Sequence, residues 1–324
     1  MRAAFLQALL EEARNDARIM LVNPDTVGYH CQTFQRELPA QYLNTGVAEQ
    51  NAVGVSAGLA LTGRRPFLFN ILAFNAFRCF EQVRLDVCAM NLGVVLVGVG
   101  AGIDYGAFGP SHHAMEDVAL MRSLPGMTVW SPADDTVASA LIRHCVHVCG
   151  PAYIRLYRTE GHTVYAAGAP PDMGEGLAVL RQGRDLLLTA TGSMVRRAKE
   201  VAAALSAYSV DAGVVDVFRL HPFPGRRFVE AAASVSHIAT LEEHFASGGL
   251  GSAVLEALAD QGIPRRVRRF GLPERFSRVC GDREYLHGEN GLDTATLVSR
   301  LLEDHAGVGR PLLDRHGPHQ RASQ

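Results

Sequence analysis

The chain has 324 residues, a formal net charge of −2, 48% hydrophobic residues and 20% charged residues. This balance is ordinary for a globular protein, and the length suggests two domains. The nearly balanced charge indicates no surface for nucleic acid or for an anionic membrane, so neither partner is predicted. The six cysteines lack a disulfide-like spacing and no signal peptide is evident, which predicts a protein of the reducing cytoplasm.

The first half of the chain alternates β-rich runs with helical patterns. Strands are predicted at residues 18–22, 66–69, 92–98, 127–130 and 152–156. Helices are predicted at residues 2–14, 48–61, 74–90, 114–122 and 134–148. Strands that alternate with helices favour a parallel α/β sheet. The longest apolar run, residues 92–99, is far too short to span a bilayer and is typical of a doubly buried parallel strand.

The second half repeats the α/β pattern after a break. Residues 159–176 are rich in glycine and proline and are predicted to form a linker. Further strands are predicted at residues 185–191, 214–217, 238–241 and 267–270, and helices at 195–205, near Phe228 and at 250–259. We therefore expect two parallel-sheet α/β domains, at residues 1–158 and 177–305. Residues 306–324 are rich in Gly, Pro, Arg, His and Gln and are predicted to be a disordered tail.

The most informative stretch is residues 44–60, in which Asn-Thr-Gly-Val-Ala-Glu-Gln-Asn precedes a small, apolar run. Glu49 stands in the first turn of the predicted helix, where a lone acid usually does no more than interact with the helix dipole. Its neighbours Val47, Ala48 and Ala52 are too apolar for a solvated helix face. A carboxyl group among apolar neighbours can hold or pass a proton near neutral pH, so Glu49 is a candidate general acid/base.

This stretch resembles the Gly-x-Ala-Glu-Gln motif of the transketolase family of thiamine-diphosphate enzymes. Residues 74–82 resemble the family's stacking aromatic and its Arg-x-aromatic-acid-Gln helix, and residues 109–117 resemble its Gly-Pro-Thr-His-Gln segment. Residues 125–134 resemble the family's next strand and turn. Several motifs in the right order identify the chain as similar to transketolase over about residues 1–305. The resemblance implies that the two predicted domains are the family's pyrimidine-binding and C-terminal domains.

One family motif is missing. Thiamine-diphosphate enzymes bind the diphosphate and Mg²⁺ through Gly-Asp-Gly followed further on by Asn, whereas the nearest string here, residues 281–283, lies in the predicted C-terminal domain. The chain also starts where the pyrimidine-binding domain of a full-length transketolase would start. We therefore expect the C-terminal (β) subunit of a split transketolase-like enzyme, in an α2β2 assembly whose N-terminal subunit supplies the diphosphate and Mg²⁺ site. The run at residues 144–149 lacks a second ligand pair, so no metal ligand is predicted in this chain.

The resemblance also implies roles for residues at the cofactor, thiamine diphosphate. Glu49 would hydrogen-bond N1′ of the aminopyrimidine and promote loss of the proton from the thiazolium carbon C2. Phe74 would stack on the pyrimidine ring, with Phe77 as a competing choice because the helix register is uncertain. Arg78 belongs to the same cofactor-binding segment.

At the substrate, His112 matches the family histidine that contacts oxygens near the reacting carbons, and a histidine suits hydrogen bonding to a developing alkoxide. Arg158 matches an arginine that binds a sugar phosphate. Two positions depart from the family. Phe108 replaces an aspartate that holds the donor's hydroxyl groups, and Gly100 replaces a phosphate-contacting histidine. We therefore expect a more apolar pocket and an altered donor or acceptor, such as an acyl or acetaldehyde unit.

The expected function is transfer of a two-carbon ketol or acyl unit from a ketose or 2-oxo acid to an acceptor. Two alternatives stay open: the β subunit of a 2-oxo-acid dehydrogenase E1, and a non-catalytic scaffold for the large subunit. Residues 112–122 are closer to transketolase and deoxyxylulose-phosphate synthase than to E1, and the presence of Glu49 argues against a scaffold. The isolated subunit should expose an apolar face formed by the helices around Gly54 and Phe80.

Overall fold

The structure, a computed structural model, describes residues 1–25, 29–158 and 163–306. The predicted disordered tail, from residue 307 onward, lies outside the described residues, and so do residues 159–162 of the predicted linker. Within the described ranges, no helix combines the length and the hydrophobicity that crossing a membrane requires.

The strands of the described ranges form two sheets. They are β1 Ile19–Asn23, β2 Tyr42–Asn44, β3 Arg65–Ile71, β4 Val95–Val99, β5 Thr128–Trp130, β6 Ala152–Leu156, β7 Leu177–Arg181, β8 Leu186–Ala190, β9 Ala212–Val217, β10 Arg219–His221, β11 His237–Phe245 and β12 Arg266–Leu272. The first sheet has the order β10-β5-β6-β4-β3-β1-β2, and the second has the order β12-β11-β8-β9-β7.

Both sheets are mostly parallel, which confirms the predicted fold class. In the first sheet only β10 pairs antiparallel, with β5. In the second sheet only β7 does so, with β9. Strands β1, β4 and β6 are buried along their whole length, as expected for parallel strands that are covered on both faces. The sequence pattern missed β7 and β10, and β10 carries the chain of the second half back to the first sheet.

Helices cover the sheets. They are α1 Arg2–Ala13, α2 Tyr29–Glu37, α3 Glu49–Leu61, α4 Phe80–Gln82, α5 Asp117–Arg122, α6 Asp135–His147, α7 Met194–Ser206, α8 Gly225–Ala231, α9 Leu250–Asp260, α10 Arg283–Glu289 and α11 Thr294–Ala306. The predicted helix at residues 74–90 is not one continuous α-helix, because two π-helical segments, Phe74–Arg78 and Val83–Ala89, flank α4. Such segments are rare and occur often at functional sites.

The order of the first sheet determines where the chemistry-bearing side chains meet. Strands β6, β4 and β3 are neighbours and run parallel, with β1 and β2 beyond them. Their carboxyl ends therefore lie at one edge of the sheet, the edge at which open α/β sheets bind ligands. Phe74 follows β3, the loop of residues 100–114 follows β4, Arg158 follows β6, and Glu49 follows β2.

A buried acid joins the linker to the second sheet and gives a prediction of pH dependence. The Tyr165 hydroxyl donates to Oδ2 of Asp216 on β9 at 2.8 Å, and burial raises the pKa of Asp216 to about 8. A free aspartate titrates near pH 4, so the unfolded chain loses this proton first. The contribution of Asp216 to stability is therefore complete below about pH 4 and is lost as pH rises through about 8.

We expect Asp216→Asn to flatten the pH dependence of the free energy of unfolding. Between pH 6 and 8 this carboxyl should cost the wild-type chain roughly 1.4 kcal/mol per pH unit. Urea unfolding of the full chain at pH 6, 7, 8 and 9 measures the slope. Asp211→Asn is the matched control, because Asp211 is partly exposed and paired with Arg181 and Arg184. An unchanged slope in Asp216→Asn would contradict the prediction.

Candidate active site

Glu49 is the first residue of α3 and only 8% exposed. Arg78 donates from Nη1 to Glu49 Oε1 at 3.0 Å, and the N-terminus of a helix also favours a negative charge. Of the apolar neighbours that the sequence suggested, Ala52 is buried, whereas Val47 is 75% exposed. The carboxylate therefore lies between a buried helix face and a charged partner, rather than in wholly apolar surroundings.

Arg78 links Glu49 to an aromatic ring. The carbon at the centre of its guanidinium, Cζ, lies 3.7 Å from the centroid of the Phe74 ring, a distance at which a cation and a ring attract each other. Phe77, the competing choice, packs against the hydrophobic core instead. In the part of the chain that the structure describes, the Phe77 ring is in none of the ring contacts of this site.

His112 lies at the centre of an aromatic cluster. Its ring centroid is 5.2 Å from that of Phe74, 4.9 Å from that of Phe108 and 5.4 Å from that of Tyr105. Burial, together with the positive charge of Arg78, lowers the pKa of His112. The imidazole is therefore neutral at pH 7, with one nitrogen that can donate a hydrogen bond and one that can accept.

Tyr105 is the residue of this site that sequence reasoning missed. A Cβ atom on Gly100 would lie 2.0 Å from Cε2 of Tyr105, so the ring occupies the space that a side chain at position 100 would need. The Arg158 guanidinium lies over the other end of the cluster, with Cζ 4.4 Å from the Tyr105 ring centroid. An aromatic residue between two glycines in the loop after β4 was the available signal.

Phe108 and Arg158 line a cavity of about 440 Å³. Residues 281–283 of the second half line the same cavity, and a Cβ on Gly106 would lie 2.2 Å from the Gly281 carbonyl oxygen. Phe108 itself is 59% exposed, so its ring is available to a ligand. A larger cavity of about 650 Å³ lies between Ile103, Met115 and an exposed segment, and contains none of the predicted site residues.

The structure thus brings most of the predicted site residues into one cluster and leaves Phe77 apart from it. The cluster, which we call the β-edge site, runs by successive contacts through Glu49, Arg78, Phe74, His112, Phe108, Tyr105, Gly100 and Arg158. The roles assigned to these residues from the sequence stay predictions.

The residues at one end of the β-edge site fit an aminopyrimidine. Such a ring needs a carboxylate that can bond to a ring nitrogen and an aromatic surface on which it can stack. Glu49 provides the first and Phe74 the second, and among the described residues nothing donates to the other carboxylate oxygen, Oε2 of Glu49. The described ranges contain no group of three or more His, Cys, Asp or Glu side chains that could hold a metal ion.

Comparison with known proteins agrees with this geometry. The family model described as transketolase, pyrimidine binding domain, matches residues 1–162, and that of the transketolase C-terminal domain matches residues 175–296. One of the two kinds of subunit of the apulose-4-phosphate transketolase of Phocaeicola vulgatus is 34% identical over 93% of this chain and 96% of its own length. The 6-deoxy-6-sulfo-D-fructose transketolase subunit SqwH of a Clostridium species is 34% identical over 94% of both chains.

A solved structure described as a split gene transketolase, inactive beta4 tetramer, superposes with a TM-score of 0.84 at 33% identity, over 94% of this chain and 97% of that one. Fold and site together define a subunit of a two-domain thiamine-diphosphate enzyme. The chain belongs to the transketolase family, whose members transfer ketol groups, and corresponds to the subunit of a split enzyme that carries the pyrimidine-binding and C-terminal domains. The predicted family and enzyme class are thereby confirmed, and subunits of this kind act with an N-terminal partner subunit.

Proposed function

We propose that this chain, with an N-terminal subunit that binds the diphosphate and Mg²⁺, transfers a two-carbon ketol or acyl unit from a ketose or 2-oxo acid to an acceptor. The observation that supports this is the contact chain from Glu49 through Arg78 and Phe74 to His112. Thiamine diphosphate, when bound, supplies the nucleophilic carbon. Glu49 holds a proton at the pyrimidine nitrogen, Phe74 stacks on the ring, and His112 donates a hydrogen bond to the substrate oxygen on which charge develops.

We propose that the partner subunit covers the exposed face of α3 and of the neighbouring helical segment. Gly54 and Gly58 of α3 face open space, which allows another helix to approach closely. Leu61, Leu85 and Met90 are 62%, 44% and 51% exposed, and apolar exposure of this kind marks interaction surfaces. An α2β2 assembly would bury this face, and the homotetramer of the solved relative suggests that the chain alone self-associates.

The compartment that we propose is the cytoplasm. All six cysteines are free, and four of them are buried. Free thiols are typical of proteins from reducing compartments.

We propose that the donor carries few hydroxyl groups near the reacting carbons. Phe108, at 4.9 Å between ring centroids from His112, places an aromatic surface where the family's aspartate accepts hydroxyl hydrogen bonds. A hydroxyl group that is buried without a partner costs about 1–3 kcal/mol. Arg158 in the same cavity suits an anionic group on the donor or the acceptor.

The experiment that tests this function is co-purification of the chain with the N-terminal subunit, followed by titration with thiamine diphosphate and Mg²⁺. We expect tight binding by the pair and weak binding by either subunit alone. Activity with a lipoyl domain as the acceptor would favour the E1 alternative. If the pair failed to bind the cofactor, the proposed function would be wrong.

Phe108→Asp should shift the donor preference of the pair. A carboxylate at this position can accept hydrogen bonds from donor hydroxyls, so we expect kcat/KM for a hydroxylated ketose to rise about tenfold, which corresponds to one such bond. We expect kcat/KM for a 2-oxo acid such as pyruvate to fall. Phe108→Leu is the control, because it removes the ring without adding an acceptor. An equal change for both donors would contradict the prediction.

A further inference from the structure

The loop that carries the aromatic part of the β-edge site is closed at its base. Gly102 and Ala114 exchange two backbone hydrogen bonds, of 2.9 Å from the Gly102 N–H and 2.8 Å from the Ala114 N–H. Residues 103–113 between them contain Tyr105, Phe108 and His112. The position of these three side chains therefore depends on what holds the base of the loop.

Strand β11 of the second sheet holds that base from below. Oε1 of Glu243 accepts the Ile103 N–H at 2.9 Å, and the Phe245 N–H donates to the Met115 carbonyl at 2.7 Å. Gly102 has a φ of +62°, and a Cβ there would lie 2.5 Å from Cγ of Glu243. Only glycine allows the loop and the glutamate to approach so closely.

The Glu243 side chain is itself rigidly placed. It is completely buried, forms an ion pair with Arg283 and accepts the Ser193 hydroxyl at 3.1 Å. His287 Nε2 lies 3.3 Å from Oε2 of Glu243. Burial disfavours the charged form, but Arg283 and His287 hold the pKa of Glu243 well below its usual range. The carboxylate is therefore ionised at every pH at which the enzyme is assayed.

A second tie runs through the backbone of the same residue. Arg155 of β6 is completely buried, and its Nη2 donates to the Glu243 carbonyl at 2.8 Å and to the Ala114 carbonyl at 3.2 Å. One guanidinium thus joins β11 to the far side of the loop base. Glu243 contacts the loop through both its side chain and, by way of Arg155, its backbone.

We propose that Glu243 is a positioning residue, through which the C-terminal domain holds His112 and Phe108 in the geometry that the substrate requires. The inference rests on the proposed function and adds to it a role for a domain that contributes no residue to the cofactor. A displacement of a catalytic group by about 1 Å can lower a rate about 100-fold. Loosening the loop should therefore impair the reaction with substrate more than the binding of thiamine diphosphate, whose predicted contacts Glu49 and Phe74 lie outside the loop.

The neighbouring Glu242 provides a matched control. It is also buried, but its two oxygens accept the N–H groups of Leu250 and Gly251 at the start of α9, at 2.7 and 2.8 Å. Glu242→Gln and Glu243→Gln make the same chemical change one residue apart on the same strand. Only Glu243→Gln removes the charge that Arg283 uses to hold the side chain against Ile103.

The experiment measures both variants in the reconstituted pair. For Glu243→Gln we expect kcat/KM to fall 10- to 100-fold while the Kd for thiamine diphosphate stays within about twofold, and we expect faster hydrogen–deuterium exchange in residues 103–113. Glu242→Gln should leave all three unchanged. Equal effects of the two variants, or a loss of cofactor affinity that accounts for the lost activity, would overturn the proposal.

Two further outcomes keep the inference testable. If Glu243→Gln does not fold, Glu243→Asp keeps the charge beside Arg283 but withdraws the carboxylate from Ile103 by one methylene, and should show the same pattern. If the wild-type pair binds no cofactor, the proposed function fails on its own. Hydrogen exchange in residues 103–113 of the full chain then decides whether Glu243 holds the loop, and unchanged exchange overturns it.

Discussion

Glu49→Gln should reduce kcat of the reconstituted enzyme by about 10²–10⁴-fold, the usual contribution of a general acid or base. The amide keeps the size of the side chain, but it cannot hold and release the proton that the proposed role at the pyrimidine nitrogen requires. Steady-state turnover of the pair at saturating thiamine diphosphate and Mg²⁺ measures the loss. A separate titration of the variant pair with the cofactor shows whether binding persists.

Glu12→Gln is a suitable control for this change. Glu12 lies on α1 and pairs with Arg143 at 3.6 Å, so the variant also removes a carboxylate from an arginine that is half exposed. It should retain the activity of the wild-type pair. If Glu49→Gln were equally active, Glu49 would have no catalytic role, and the chain would act as a scaffold for its partner subunit.

His112→Ala should lower kcat/KM by about 10²–10³-fold, which is typical for the loss of one hydrogen-bond donor to a developing oxyanion. Burial and the charge of Arg78 lower the pKa of His112, so the ring becomes protonated only at a lower pH than an ordinary histidine. Activity that needs the neutral ring should therefore persist below pH 6.5 in the wild-type pair. A pH profile of kcat/KM for both proteins measures this.

The matched control for this variant is His147→Ala, which removes an exposed histidine from the end of α6. It should leave kcat/KM and its pH profile unchanged. A His112→Ala enzyme with normal kcat/KM would show that the ring serves only to pack against Phe74 and Phe108. The assignment of the substrate end of the β-edge site would then be wrong.

The sequence predicted elements best where local patterns and burial agreed. The apolar run at residues 92–98 became the buried strand β4, and the helix predicted at residues 48–61 became α3, with Glu49 in its first turn. Strand β10 was missed because it has three residues and exists only through its antiparallel pairing with the distant β5. The π-helical segments at residues 74–89 were missed because their periodicity is too close to that of an α-helix for a short pattern to distinguish.

What the sequence determined by itself was the fold class and the identity of the residues that carry chemistry, because strands, turns and motifs are recorded in residue types at short spacing. The tertiary structure decided which of them meet. It placed Phe74 rather than Phe77 beside Arg78, filled the space at Gly100 with the Tyr105 ring, and brought Glu243 to Ile103 across 140 residues of chain. These contacts depend on the order of the strands and on how the second domain packs against the first, which no local pattern encodes.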